Sequence, residues 1–251
     1  MLDAPHPATA PASATALCDH EDLLKRLRLP SKWGLSISSV HEANPPELTL
    51  PASLGRAVLK RQREYLAGRR CAHDAMLRAG HPAPFYPAMG EDRLPVWSTD
   101  WLGSISHSGD HAIAVAAPRR DCSVLGIDIQ QQASEKTMNA IQSLIAKPEE
   151  LIPLEDLDGH TKLLLIFSAK ESLYKALYPQ VRKIQEFDAV KLIQADAQVL
   201  RFELTQDWST QWKAGACIEV NYTIVRDYIV TATYIVNEYA VDSRTPPEAG
   251  H

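Results

Sequence analysis

Residues 103–130 read GSISHSGDHAIAVAAPRRDCSVLGIDIQ, and the fold class turns on this stretch. Two short alternating runs flank Ser108-Gly109-Asp110, the pattern of a β-hairpin. Residues 123–130, SVLGIDIQ, read as a further strand. Residues two apart on a strand share a face, so Gly126, Asp128 and Gln130 point one way while Ile127 and Ile129 point the other. Upstream, residues 50–76 read as a helix: Leu54, Val58, Leu59, Tyr65, Leu66, Ala72 and Met76 recur at spacings of three and four, softly broken at Gly68. Residues 80–95, rich in Pro and Gly, read as a loop. Downstream, a polar stretch at 147–159 leads into a strongly helical segment, 161–178. Three strand-like runs follow at 198–204, 217–225 and 228–236, with Arg226-Asp227 as the turn between the last two. The order of helix, hairpin, strand, helix and strands is a segregated α+β pattern, not a βαβ alternation.

With 251 residues the chain can build one large domain or two small ones, and 45% apolar with 23% charged residues is ordinary for a soluble globular protein. No apolar run approaches the ~20 residues that span a bilayer. The opening MLDAPHPATAPASATAL lacks a basic region followed by an apolar core, so it reads as a frayed end and not as a secretory signal, like the tail SRTPPEAGH. Cys18, Cys71, Cys122 and Cys217 show no paired spacing and read as reduced thiols of a cytoplasmic protein. The nine histidines form no zinc spacing. A net charge of −5 argues against general nucleic-acid binding, so a site for a phosphorylated ligand must be a local basic concentration.

Four features could carry chemistry, and each has a plain alternative. Asp128, on one strand face with side-chainless Gly126, suits a divalent cation beside a bulky ligand, or is simply the exposed residue of a half-solvated strand. In FSAKESLYKALY, Glu171 and Lys175 are neighbours at i and i+4, with Lys170 about 100° round the helix. They form either a surface pair worth roughly 0.3–0.5 kcal/mol or, crowded by Leu173, Tyr174 and Leu177, buried charges that need a metal and phosphates as partners. KRQREYLAGRR gathers Lys60, Arg61, Arg63, Arg69 and Arg70 against Glu64, a solvated face or a phosphate-binding patch. His107, between two serines, can donate to phosphate or satisfy turn amides.

In their order, GSISHS, GIDIQ and FSAKESLYKA resemble the 4′-phosphopantetheinyl transferase superfamily. The resemblance is to its longer single-chain Sfp-type members, most closely the branch that serves enterobactin-type siderophore synthetases. It extends upstream through RQREYLAGRRCAHDAM and the loop ending in PVW, covering roughly residues 55–178, half the chain. The resemblance implies two similar α+β halves joined as a pseudo-dimer, with the active site between them. The boundary then falls near Pro118, giving halves at 1–118 and 119–240, a disordered tail at 241–251, and a monomer as sufficient. It implies Mg2+ on Asp128 and Glu171, with coenzyme A as substrate. Lys170 and Lys175 are expected beside the coenzyme A phosphates, and Arg61, Arg69 and His107 at its 3′-phosphate end.

Three positions depart from the family pattern. Gln130 stands where many members have Glu, so its amide oxygen or a bound water is expected to complete the metal shell, which magnesium tolerates. Asp92 sits where relatives often carry Lys, with Arg93 as a possible replacement, and Ser98 follows Trp97 where Pro is usual. The implied reaction is attack of a carrier-protein serine on the β-phosphorus of coenzyme A, releasing 3′,5′-ADP, with Glu171 as base and Lys175 stabilising charge. The expected partner is an apo acyl, peptidyl or aryl carrier protein, an acidic helical domain. A magnesium nuclease is the first rival, though such sites place Glu and Lys two apart on a strand. A non-catalytic coenzyme A-binding protein with a decayed site is the second.

Overall fold

The computed structural model describes residues 17, 19–132 and 142–237. The expectations for the N-terminal end and for the 241–251 tail fall outside them, Leu17 excepted. Helix α1 (His20–Arg26) and strand β1 (Gly34–Ser39) precede helix α2 (Leu59–Arg78). Next come a short pair, β2 (Ala88–Met89) and β3 (Pro95–Val96), and the hairpin β4 (Trp101–Ser108) and β5 (His111–Pro118). Strand β6 (Cys122–Gln131) leads to helix α3 (Gly159–Val181), then β7 (Val190–Ala195), β8 (Val199–Leu204), β9 (Cys217–Val225) and β10 (Tyr228–Val236). The α+β expectation holds. A three-stranded antiparallel sheet, β1-β5-β4, carries α2, and a five-stranded one, β6-β10-β9-β8-β7, carries α3.

Three local expectations need correction. Helix α2 starts at Leu59 and not near residue 50. The preceding segment turns back on itself, and Gln62 Nε2 donates to the carbonyls of Leu54, Gly55 and Ala57 at 3.2, 3.3 and 2.9 Å. Val58 and Leu59 are 74% and 68% exposed, so their spacing marks no core face. Gly68 does not break the helix; a Cβ there would lie 2.8 Å from Ile105, so glycine lets β4 approach. Within the expected 80–95 loop, Ala88 and Met89 pair with Val96 and Pro95.

Helix α3 is capped at its start by Asp158, which accepts from Thr161 N at 3.0 Å and Thr161 Oγ1 at 2.6 Å, an arrangement worth about 1 kcal/mol. It ends at Arg182, whose left-handed backbone returns its N–H to Tyr178 O at 2.8 Å.

Strand alternation sorts residues into three cores. On β5, Ala112, Ala114 and Ala116 are small enough to let α2 settle on the sheet, while Ile113, Val115 and Ala117 face the other way. There they meet Leu125, Ile127 and Ile129 of β6, Val230 and Ala232 of β10, and Leu23, Leu27 and Trp33 around α1. This core is shared by both sheets, and each fully buried Ile or Leu contributes about 1.5–3 kcal/mol. The opposite face of β6 meets α3, with Gly126 at the crossing. A Cβ on Gly126 would fall 2.0 Å from Ser172 O.

The sheets meet along β4 and β6, joined by serine side chains. Ser104 Oγ accepts from Ile127 N at 3.0 Å and Ser108 Oγ from Gln131 N at 3.0 Å. Both contacts join residues 23 apart, so the two strands run in the same direction. Period two puts Ser104, Ser106 and Ser108 on one face, facing β6. Among the described residues no helix is long and apolar enough to cross a membrane.

Candidate active site

At the middle of this seam lies Asp128, 1% exposed. Its Oδ1 accepts from Ser106 Oγ at 2.7 Å and Lys175 Nζ at 2.5 Å; its Oδ2 accepts from Gln130 Nε2 at 2.8 Å and Ser168 Oγ at 2.9 Å. Four donors saturate the carboxylate's lone pairs, so the buried charge is compensated. The reading of Asp128 as an exposed strand residue is overturned. Lys175 also donates to Ser106 Oγ at 2.9 Å, so serine, aspartate and lysine from β4, β6 and α3 form one closed cluster. Lys175 therefore turns to Asp128 and makes no surface ion pair with Glu171.

Glu171, one helix turn before Lys175, makes no hydrogen bond or ion pair among the described residues. Burial pushes its carboxyl above the ordinary value; Lys175 opposes this and the Asp128 charge adds to it. It lines a depression of about 230 Å³ with Tyr174, Phe187 and Trp208, whereas Lys175 faces a larger cleft of about 560 Å³. Tyr174 belongs to the walls of both.

Lys170 lines the same depression as Glu171, but its ammonium is held by protein groups and not left for the phosphates the resemblance implied. Its Nζ donates to Glu150 Oε1 at 2.8 Å, Ile145 O at 2.8 Å and Phe187 O at 2.9 Å, which engages all three N–H bonds. The Lys170 and Glu150 side chains are 2% and 3% exposed. Burial pulls the ammonium below the ordinary lysine pKa, with Glu150 working against that. Glu150 also accepts from Lys147 N and Leu192 N at 2.9 and 3.0 Å, so the pair ties three chain segments behind the Glu171 wall.

The larger cleft runs between the halves, and three predicted residues, Arg61, Arg69 and His107, line it from the N-terminal side. Arg61 Nη1 lies 2.9 Å from His107 Nε2. The guanidinium can only donate, so Nε2 accepts and the ring proton sits on Nδ1, 3.7 Å from Glu64 Oε2. Burial lowers the His107 pKa, against the pull of Glu64. Arg69 is 6% exposed with its cation 4.5 Å from the centre of the Tyr65 ring, and its buried Nε has no partner among the described residues. A buried guanidinium with an unused N–H on a cleft wall is ready for an anion. Arg70 is different: it fastens Ser38, Ser39, Glu42, Ala43 and Asn44 to α2.

The donor set fits a magnesium ion with an incomplete protein shell. Glu171 offers a hard oxygen with no hydrogen-bond partner among the described residues; Asp128, close enough to perturb its charge, can bind the same ion only by giving up one of its present donors, such as Lys175 or the Gln130 amide. Gln130 offers its NH2 to Asp128, so bringing its Oε1 to the same ion requires the amide to turn over. Among the described residues no three His, Cys, Asp or Glu side chains cluster, which leaves positions for waters and phosphate, as magnesium prefers.

Sequence reasoning passed over Ser106, Ser168 and Glu150. The serines at 104, 106 and 108 carried a signal, since period two places them on one face, but the sequence reading gave that face no role and did not foresee the neighbouring strand. Nothing in the local sequence marks Glu150 as the partner of Lys170, twenty residues away.

Comparison with known proteins gives a 4′-phosphopantetheinyl transferase N-terminal domain over residues 50–117 and a 4′-phosphopantetheinyl transferase superfamily domain over 124–233. Enterobactin synthase component D of Salmonella austin is 34% identical over 168 residues, 66% of this chain and 69% of that protein. The component D of Escherichia coli (strain K12) is 41% identical over 127 residues, 50% of this chain and 59% of its own length. The 4′-phosphopantetheinyl transferase Svp of Streptomyces mobaraensis is 33% identical over 175 residues, 65% of this chain and 69% of that protein.

Proposed function

We propose that this chain, which belongs to the 4′-phosphopantetheinyl transferase superfamily, moves the phosphopantetheine arm of coenzyme A onto a serine of an apo carrier protein. The observation that carries this reading is the Ser106–Asp128–Lys175 cluster with Glu171, unpartnered among the described residues, one helix turn away, beside a cleft walled by arginines. Siderophore synthesis is the setting we favour, because enterobactin synthase components D are among the relatives.

Each residue then has a part. Arg61 and Arg69 hold the nucleotide phosphates in the large cleft, and a bound phosphate dianion favours the charged form of His107 against its burial. Asp128, Glu171 and Gln130 would hold a magnesium ion, whose chemistry is to neutralise the pyrophosphate and align the bond that breaks. The acceptor serine arrives from the smaller depression, where Glu171 takes its hydroxyl proton; burial makes this carboxylate more basic than an exposed one. The serine oxygen forms a bond to the β-phosphorus as the bond from that phosphorus to the bridging oxygen breaks, and 3′,5′-ADP leaves. Lys175, on the cleft side, stabilises the charge on the departing phosphate. Opposite-facing Glu171 and Lys175 thus serve the two substrates from one helix.

Intact mass spectrometry of apo aryl, peptidyl and acyl carrier proteins, incubated with the chain, coenzyme A and magnesium, tests this. The expected result is a gain of one phosphopantetheine that EDTA abolishes, fastest on an aryl or peptidyl carrier. No gain on any carrier, with coenzyme A still bound, would support a second reading, coenzyme A binding without transfer. That reading draws on the Gln130 amide, which occupies Asp128 where a carboxylate would instead share a metal.

A further inference from the structure

The four donors on Asp128 divide into two kinds. Lys175 lines the large cleft with its side chain 27% exposed, and Gln130 is half-buried, so either can move away from the carboxylate. Ser106 and Ser168 are buried. Each oxygen therefore has one enclosed serine and one donor that can be exchanged: Ser106 with Lys175 on Oδ1, Ser168 with Gln130 on Oδ2.

Behind Ser168 stands Thr231 of β10, the cross-strand partner of Asp128. The two hydroxyl oxygens are 3.0 Å apart, and Thr231 Oγ1 also donates to Ser168 O at 2.9 Å. A hydroxyl carries one proton and a carboxylate only accepts, so the Ser168 proton goes to Asp128 and the Thr231 proton is left for the Ser168 oxygens. Both residues are fully buried, so neither hydroxyl has water to turn to. One turn further along α3 the pattern repeats without a carboxylate. Ser172 Oγ lies 3.0 Å from Thr233 Oγ1 and donates to Ala169 O at 3.0 Å, and the cross-strand partner of Thr233 is Gly126. Among the described residues, two buried serine–threonine pairs thus key α3 to β10, and only one of them touches Asp128.

We infer that Ser168, backed by Thr231, is a positioning residue that keeps Asp128 Oδ2 in place while an exchangeable donor gives way to the metal ion. This rests on the reading of Asp128 as a magnesium ligand. The terminal torsion of an aspartate is broad, so its carboxylate plane is set by what the oxygens touch. Once Lys175 or the Gln130 amide has left, the enclosed serines carry most of that task. Ser168 cannot follow the exchangeable donors, because helix and sheet close around it and Thr231 holds both of its oxygens. An outer donor that orients a metal ligand in this way is worth about 10–100-fold in metal affinity. If the pair served only to hold α3 on β10, Ser168 and Ser172 would carry equal weight.

Manganese, which takes the same oxygen ligands as magnesium, serves as the probe. It is titrated into the whole chain with coenzyme A in excess and no carrier protein, and the free ion is followed by electron paramagnetic resonance. Ser168→Ala is expected to bind manganese about tenfold more weakly or worse, and Ser172→Ala within about twofold of the parent. Urea unfolding is expected to show both variants losing stability alike, since each gives up one buried hydroxyl pair. Thr231→Val deletes the hydroxyl at nearly constant shape and weakens manganese binding in the same direction; Thr231→Ser keeps the hydroxyl and restores it. Equal manganese affinities for Ser168→Ala and Ser172→Ala overturn the inference, as does a Thr231→Ser variant no better than Thr231→Val. If the unmodified chain binds no manganese beside coenzyme A, the magnesium reading of the site falls and the inference with it. If the parent binds and Ser168→Ala is neutral, the inference alone falls.

Discussion

Replacing Lys170 by Met separates a structural lysine from a substrate-binding one. In the structure the ammonium is engaged by Glu150 and two carbonyls at 2.8–2.9 Å, with both side chains almost wholly buried. Removing it leaves a buried carboxylate supported only by the N–H groups of Lys147 and Leu192. Breaking a buried pair from one side costs about 3–5 kcal/mol, and total stability of a domain is about 5–15 kcal/mol. With a urea slope of about 2 kcal/mol/M, a loss of 4 kcal/mol moves the unfolding midpoint by roughly 2 M. The double variant Glu150→Gln with Lys170→Met removes both charges while the glutamine oxygen still accepts a backbone N–H, so it is expected to recover about half of the loss. Urea unfolding followed by fluorescence measures the three variants, and coenzyme A titration below the transition measures their binding. Folded Lys170→Met is expected to bind coenzyme A within about twofold of the parent, since its ammonium faces Glu150. A variant within 1 kcal/mol of the parent's stability that binds coenzyme A tenfold more weakly would refute the reasoning and restore Lys170 to the phosphates.

Three further outcomes follow from the same geometry. Glu171→Gln is expected to lower transfer by about 10²–10³, as for loss of a general base, with 3′,5′-ADP binding largely kept in calorimetry. Because burial raises the folded pKa of Glu171, the folded chain binds that proton more tightly than the unfolded one, so stability falls as pH rises from the ordinary glutamate value of 4.5 through the raised value. Glu171→Gln removes that fall: above the window the variant melts no lower than the parent without magnesium, and transfer by the parent loses activity on acidification at a pH above the ordinary carboxylate range. Gln130→Glu sets a second carboxylate against Asp128 where an amide now donates at 2.8 Å, so thermal stability without metal is expected to drop while less magnesium is needed for half-maximal transfer. Gly126→Ala drives a methyl to 2.0 Å from Ser172 O and is expected to cost about 3 kcal/mol or more in urea, since backbone on both sides cannot yield.

What the sequence disclosed follows the range of its periodicities. The hairpin, β6 and α3 were legible because alternation and three-four spacing are local, and the faces assigned to Gly126, Asp128, Ile127 and Ile129 follow from strand geometry alone. Strand β1 was not legible: GLSISS has few apolar residues, and it is a strand because Ile37 and Leu35 pair with Ile113 and Val115 of β5, far along the chain. The start of α2 was misjudged because Val58 and Leu59 imitate a core stripe while facing solvent. For the site, residue types pointed to Asp128, Glu171 and Lys175, but not to which lysine faced the substrate. Lys170 and Lys175 sit on one helix, five positions apart, and only the tertiary partners Glu150 and Asp128 distinguish them.

The serine seam explains why this chemistry needs two halves. Asp128 belongs to β6 in the C-terminal sheet, yet one of its oxygens is held by Ser106 of β4, and Lys175 reaches the same serine from α3. Arg61 and Arg69 on the cleft wall come from α2, while Glu171 and Lys175 come from α3. Neither half alone positions both the reacting centre and the nucleotide cleft. The shared apolar core between the sheets therefore does more than stabilise: by fixing β4 beside β6 it sets the position of a buried carboxylate to within hydrogen-bond tolerance, which is the precision that in-line phosphoryl transfer demands.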